Sequence, residues 1–197
     1  MKNSHFDSTH WKNPRQTIAN MYENNDYGYV FHAAAVFTDI LKYANATVSE
    51  FAKFKVLDYG CGTGRIARQA ALTGAHVEGY DPVPECIRES EAEFKKLGNK
   101  FKSPKILTDD FSKISDNFDI VYCVSVIEHL HINEITVAIN NITQSLKNNG
   151  VCYIWVHVLK NKQFLQDIGI LVQHTTGVAI IKGIKSNDLL TYTIQYE

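Results

Sequence analysis

The sequence predicts an α/β protein folded as a single three-layer, doubly wound sheet whose strands are mostly parallel. Three observations carry that prediction. Strand-like and helix-like segments alternate from residue 55 onward, the central strand candidates are nearly continuous apolar runs, and the first of them, KVLDYG, enters a Gly-x-Gly-x-Gly turn. With 197 residues, 45% of them hydrophobic, the chain fills one core rather than two.

The elements follow in order. Val30, Ala33, Phe37, Leu41 and Ala44 recur at helical spacing, which predicts an amphipathic helix over 29–45. Strand one is 55–60, and a helix over 65–74 closes on Gly74. HVEGYD (76–81) is strand two. From Pro84 a helix places Ile87, Phe94 and Leu97 on one face and stops at Gly98. KILTDD (105–110) is strand three, and FDIVYCVSV (118–126) has the composition of a central strand covered on both faces. Ile132, Ile135, Ile139, Ile142 and Leu146 trace a helical stripe ending at Asn148-Asn149-Gly150, after which VCYIWVHV (151–158) is strand five. Right-handed crossovers between such strands build a doubly wound sheet. The tail differs: GVAIIKGI (177–184) and LLTYTIQY (189–196) are four residues apart, too close for a crossover helix and suited to an antiparallel hairpin.

Composition excludes several classes. A net charge of −1 and a pI near 6.7 leave no basic footprint for nucleic acid. Cys61, Cys86, Cys123 and Cys152 are scattered without a C-x-x-C pair, which argues against a zinc knuckle or a disulfide framework and fits a reducing cytoplasm. The polar N-terminal stretch MKNSHFDSTHWKNPRQ has no apolar signal region, and no later stretch reaches membrane-spanning length, so no membrane partner is expected.

In open parallel sheets ligands sit beyond the carboxyl ends of the strands, where the order reverses. The loop Gly60-Cys61-Gly62-Thr63-Gly64 lies there, and its glycines let a ligand approach the backbone. A dinucleotide fingerprint needs a third glycine at position 65, which is Arg65. Asp58 would repel a pyrophosphate and attract a cationic or amino-acid-like group. Asp81 ends strand two, where such folds place a carboxylate against ribose hydroxyls. Asp110-Phe111 ends strand three and offers an acceptor for an exocyclic amine beside an aromatic face, as adenine would require. An adenosine with a charged amino-acid tail and no phosphate is S-adenosylmethionine.

Taken together these residues make the chain resemble the class I S-adenosylmethionine-dependent methyltransferases. VLDYGCGTG is similar to the family's first motif, GYDPVPECI to its acidic strand-two end, TDDF to its adenine motif, FDIVYCVSVIEHL to its fourth-strand motif and LKNNGVCYIWV to its fifth-strand region. The resemblance implies a Rossmann-like sheet in the order 3-2-1-4-5-7-6 with an antiparallel last strand. It implies one domain over 1–197: an N-terminal helical cap or lid (1–54), a cofactor-binding core (55–158), and a C-terminal helix with the hairpin (159–197). Asp58, Gly60 and Gly62 would hold the methionine end, Asp81 the ribose, Asp110 and Phe111 the adenine, Val126 would lie against the cofactor beyond strand four, and Cys61 and Pro82 would complete the cofactor-binding set. The expected activity is transfer of the sulfonium methyl to an oxygen, nitrogen or carbon nucleophile of a small molecule, leaving S-adenosylhomocysteine. The alternative is a catalytically degenerate cofactor-binding subunit that supports a partner protein.

His129, leaving strand four at the methyl end, is the candidate general base, against a plain surface or capping role. Glu128-His129 is similar to part of the metal site of small-RNA 2′-O-methyltransferases, but the further glutamate three positions before Glu128 is Ser125 here. Even with His157 nearby, that is too little carboxylate for a hard cation, and no metal is expected. Asp81 has a second reading as a helix cap, Cys61 as a packing residue and Asp109 as a solvated turn residue. Trp11, Tyr22, Tyr27 and Tyr29 are either rings of a lid closing over the cofactor or ordinary helix packing.

Overall fold

The structure of the chain is a computed structural model that describes residues 11–21, 26–98, 105–157, 178–186 and 189–196. Three helices precede the sheet: α1 (Pro14–Met21), α2 (Asp26–Tyr43) and α3 (Val48–Phe51). A capping box starts α3: the Glu50 amide donates to Thr47 Oγ1 at 3.3 Å while Glu50 Oε2 accepts from the Thr47 amide at 2.8 Å. Then β1 (Lys55–Tyr59), α4 (Arg65–Thr73), β2 (His76–Tyr80), α5 (Pro84–Leu97), β3 (Lys105–Thr108), β4 (Phe118–Val124), α6 (Ile132–Ser145) and β5 (Leu146–His157) alternate as expected. Gly74, at φ 101°, ends α4 in the left-handed conformation that a side chain disfavours.

The five parallel strands stand in the order β3-β2-β1-β4-β5, so the order reverses between β1 and β4. On one face, α2, α3, α4 and α5 bring Val36, Phe37, Ile40, Phe51, Ile66 and Phe94 against Val56, Tyr122 and Tyr153. Ala67, Ala70 and Ala71 are wholly buried, and their small side chains let α4 lie close to the sheet. On the other face α6 packs Ile135, Ala138 and Ile142 on Leu57, Val121, Cys123 and Ile154. β1, β4 and β5 therefore alternate between two apolar cores, as their near-continuous sequence runs require.

Two expectations are corrected. Strand five was expected from residue 151, with Asn148-Asn149-Gly150 stopping the helix, but β5 already begins at Leu146, paired with Phe118. The register shifts between Phe118 and Ile120, and Asn149 takes a φ of 66°. A Cβ on Gly150 would stand 2.9 Å from the Phe118 carbonyl oxygen, so the Asn-Gly pair serves an irregularity inside the strand rather than its start. The second correction concerns the tail. β6 (Val178–Ser186) and β7 (Leu189–Tyr196) form the expected antiparallel hairpin, but β6 rather than β7 lies beside β5, giving β5-β6-β7 in place of 5-7-6. The residues linking β6 to β7 allow an antiparallel pair in either order. GVAIIKGI is the more continuous apolar run, the pattern of a strand with neighbours on both sides, whereas LLTYTIQY alternates as an edge strand does. The helix expected after residue 158 lies outside the described residues.

Candidate functional site

The loop after β1 is tied down before any ligand is considered. Gly60 and Cys61 donate their amides to the Tyr80 carbonyl at 2.7 and 2.9 Å, and the Gly64 amide reaches the Cys61 carbonyl at 2.8 Å. Gly60, Gly62 and Gly64 all have positive φ, at 77°, 53° and 73°. Their surroundings differ. A Cβ on Gly60 would stand 2.3 Å from Val126 Cγ2, whereas one on Gly62 would meet nothing within 4 Å. Gly60 is thus a packing necessity that seats Val126 over the loop, and Gly62 borders open space on the ligand side.

Asp58 lies beneath this loop, 2% exposed, accepting the Ala67 amide at 3.1 Å with Oδ2. Burial pushes its pKa up from 3.8 to about 8, with the Asp81 charge adding to the rise and Ala67 and Arg65 opposing it. The Tyr122 phenol interacts with this carboxyl from β4, and its hydroxyl is buried with no hydrogen-bond partner at bonding geometry. The two polar groups stand opposite each other on β1 and β4, the neighbouring strands between which the order reverses.

Asp81 does two things at once. Oδ2 accepts the Gly62 amide at 2.8 Å, latching the loop, and Oδ1 accepts the Val83 amide at 3.0 Å, fixing the turn that leads to Val83, the N-cap of α5. The helix-cap reading is corrected: the N-cap of α5 is Val83, without a side-chain capping bond, and Asp81 holds the turn before the helix while each of its oxygens retains a lone pair. Burial raises this carboxyl from 3.8 to about 6. Pro82 beside it is exposed, and Cys61 is buried with its thiol pKa pushed well up by desolvation, a packing residue against Gly79.

At the end of β3, Asp110 caps a 3-10 turn over Phe111–Lys113, accepting the Ser112 hydroxyl at 2.7 Å and amide at 3.1 Å. Those bonds, the hydroxyl first, hold its pKa below the usual carboxylate value. Phe111 meets Tyr59 and Tyr80 edge-on, with centroids 5.6 and 5.2 Å away, in an aromatic triad. Beyond β4, Ser125 adopts φ 55° and donates its amide to the Trp155 carbonyl at 2.8 Å, so the chain turns sharply into the 3-10 turn Ile127–His129. His129 is exposed on that turn, above Val126.

The N-terminal helix closes one side of this region. The Tyr29 hydroxyl bonds Thr63 Oγ1 in the glycine loop, and the Arg65 guanidinium lies 5.5 Å from the Tyr29 ring centre. Arg65 Nη1 also bonds His32 Nδ1, and the His32 ring is 4.7 Å from Trp155. Tyr22 and the side chains of Tyr27, Glu128 and His157 lie outside the described residues.

Sequence reading found the loop, Asp58, Asp81, Asp110, Phe111 and Val126, and the structure brings all of them to one end of the sheet. It placed Thr63 in the loop without assigning its hydroxyl, and it missed His32 and Tyr122. A phenol inside the apolar run FDIVYCVSV was the available signal for Tyr122; nothing local marked His32.

Comparison with known proteins adds three findings. Residues 29–180 match a family described as a methyltransferase domain. A ubiquinone biosynthesis O-methyltransferase from Rickettsia prowazekii is 29% identical over 133 residues, covering 68% of this chain and 51% of that protein, and one from Pelagibacter ubique is 32% identical over 101 residues, 51% of this chain and 40% of that protein. The chain spans about half the length, or less, of these curated relatives. A magnesium protoporphyrin IX methyltransferase from Synechocystis, solved with S-adenosylmethionine bound, superposes with a TM-score of 0.61 over 96% of this chain and 92% of that one, at 15% identity, and shares the fold.

Proposed function

This chain belongs to the class I S-adenosylmethionine-dependent methyltransferase family, and on that premise we propose that it methylates a small-molecule acceptor. The observation that carries the proposal is the buried Asp58 carboxyl beneath the open space at Gly62. A neutral acid that ionises readily when a cation arrives suits the ammonium of a methionine tail, and the orphaned Tyr122 hydroxyl supplies further polarity. The residues present fit the cofactor, which when bound supplies a methyl group activated on a sulfonium.

In this reading Asp58, Gly60, Cys61 and Gly62 form the methionine end. Asp81, with Pro82 beside it, receives the ribose hydroxyls through the lone pairs left after its two backbone bonds. Asp110 accepts the adenine amine, the ring edge lies against Phe111, and Val126 fills the wall above Gly60. His129 takes the acceptor's proton from its exposed perch beyond β4. Tyr29, joined to Thr63, keeps the N-terminal helix over the loop and excludes water from that side. Hydroxyl acceptors are the first class to screen, because the curated relatives carry O-methyltransferase names. All four cysteines are free and buried, which supports a reducing cytoplasm, and no helix among the described residues is long and apolar enough to cross a membrane.

The test is calorimetric titration of the protein and an Asp81→Ala variant with S-adenosylmethionine and S-adenosylhomocysteine. Binding near the micromolar range, a free energy of about −8 kcal/mol, that is lost in the variant is the expected result. Absence of binding by folded wild-type protein overturns the proposal.

A further inference from the structure

Glu78 is a charged residue in the middle of β2, opposite Leu57 of β1 and Ile106 of β3, and it is 1% exposed. No step assigned above uses it. A carboxylate in that position must be supplied with partners or it destabilises the fold. Its partners come from two directions. Lys55 Nζ and His76 Nε2 approach Oε1 at 3.9 and 3.3 Å. Ser115 donates twice, its amide to Oε2 at 3.0 Å and its hydroxyl to Oε1. Lys55 adds a second hold on the same stretch, its Nζ donating to the Asp116 carbonyl at 2.7 Å, and its amide donates to Asp119 Oδ2 at 2.8 Å.

Residues 109–117 run from the end of β3 to the start of β4 and carry Asp110 and Phe111. Their near end is pinned by Thr108, whose carbonyl accepts the Asp81 amide at 3.2 Å and whose hydroxyl accepts the Asp110 amide at 3.1 Å. Their far end is pinned by Glu78 and Lys55. Between the pins, Phe111 and Ile114 pack on the second core. A 3-10 turn of three residues has little stability of its own, so its orientation is set by these anchors.

We propose that Glu78 is a positioning residue for adenine recognition: through Ser115 it holds the segment that aims Asp110 at the exocyclic amine. This rests on the reading of Asp110 as the adenine acceptor. Glu78 itself touches no ligand, and its effect is to keep that acceptor in place when the base is exchanged.

Binding of S-adenosylhomocysteine is compared with that of S-inosylhomocysteine, in which a carbonyl replaces the amine, for the wild type and for Asp110→Ala, Glu78→Ala, Glu78→Gln and Ser115→Ala. Amide hydrogen exchange of the ligand-free proteins is followed in parallel. The wild type prefers the adenine compound by about tenfold, one charge-assisted hydrogen bond, and Asp110→Ala abolishes the preference. Glu78→Ala and the milder Ser115→Ala reduce the preference to near unity and speed exchange at 111–116 without speeding it in β1 or β4. Glu78→Gln, which still accepts the Ser115 amide, retains most of both. A general loss of stability would instead weaken the two compounds equally. Full preference in Glu78→Ala and Ser115→Ala, beside a wild type and Asp110→Ala that behave as stated, overturns the positioning role alone. A wild type without preference overturns the Asp110 reading and this proposal with it.

Discussion

Replacing Asp58 by Asn should make the ligand-free protein more stable while removing its affinity for the cofactor. The folded-state pKa of about 8 lies above the ordinary 3.8, so folding favours the protonated form. The stability this gives is complete below pH 3.8 and is lost as pH rises toward 8. At pH 7 the gap from 3.8 is about three units of about 1.4 kcal/mol each, so the buried acid costs about 4 kcal/mol as an upper value. Asn carries no such cost. Its oxygen can keep the Ala67 amide, and its NH₂ can donate toward the orphaned Tyr122 hydroxyl. Urea unfolding of both proteins at pH 5, 6, 7 and 8, without ligand, gives the difference directly. The advantage of the variant should be about 1 to 2 kcal/mol at pH 5 and grow by about 1 kcal/mol or more per unit up to pH 8. Titration with S-adenosylmethionine should show binding weakened about 100-fold, the loss of a buried cation partner. A variant less stable than the wild type at pH 8, or a difference flat with pH, would refute the reasoning.

Three further outcomes follow from the same geometry. If a cationic ligand group ionises Asp58, binding at pH 7 should release close to one proton, seen as a dependence of the calorimetric heat on buffer ionisation enthalpy, and affinity should rise up to about tenfold per pH unit between pH 6 and 8. The two glycines should separate folding from binding: Gly60→Ala combines a φ of 77° with the collision at Val126 and costs about 2 to 4 kcal/mol in unfolding experiments, partly relieved by Val126→Ala. Gly62→Ala, at φ 53° with nothing within 4 Å, costs about 1 to 2 kcal/mol of stability but weakens cofactor binding by far more than that strain, because its methyl group occupies the ligand's space. Tyr29→Phe removes the bond to Thr63 and should lower stability by about 1 kcal/mol, a Tm drop of about 2 to 4 °C, while speeding proteolytic cleavage ahead of α2 unless cofactor is bound.

The parallel core and its site were legible because local signals there agree with the tertiary outcome. Apolar runs of strand length, a glycine-rich turn and a carboxylate at or just past the end of each of the first three strands are all readable one segment at a time. The errors fall where one local signal serves two structures. Asn148-Asn149-Gly150 marks a helix stop or a strand irregularity equally well, and only the pairing of Leu146 with Phe118 decides. A hairpin with a short turn fixes the antiparallel pairing of β6 and β7 but not which of them meets β5. Glu78 was illegible for a different reason: nothing within HVEGYD says what would make a buried glutamate tolerable, and the serine that does so lies 37 residues away.

The two acids at the loop would fare differently if the chain ever ceased to bind its cofactor. Asp81 carries a smaller burial cost of the same kind, but it fastens Gly62 and the Val83 amide ahead of α5, so drift would have less to gain by discarding it, and its presence in a distant relative is the poorer sign of activity. Asp58 weakens the empty protein at neutral pH, so a lineage released from binding would gain by discarding it. In relatives that share this loop, an aspartate at the position of Asp58 is the informative one, and its replacement by Asn or an apolar residue would mark a scaffold that has stopped holding a charged ligand.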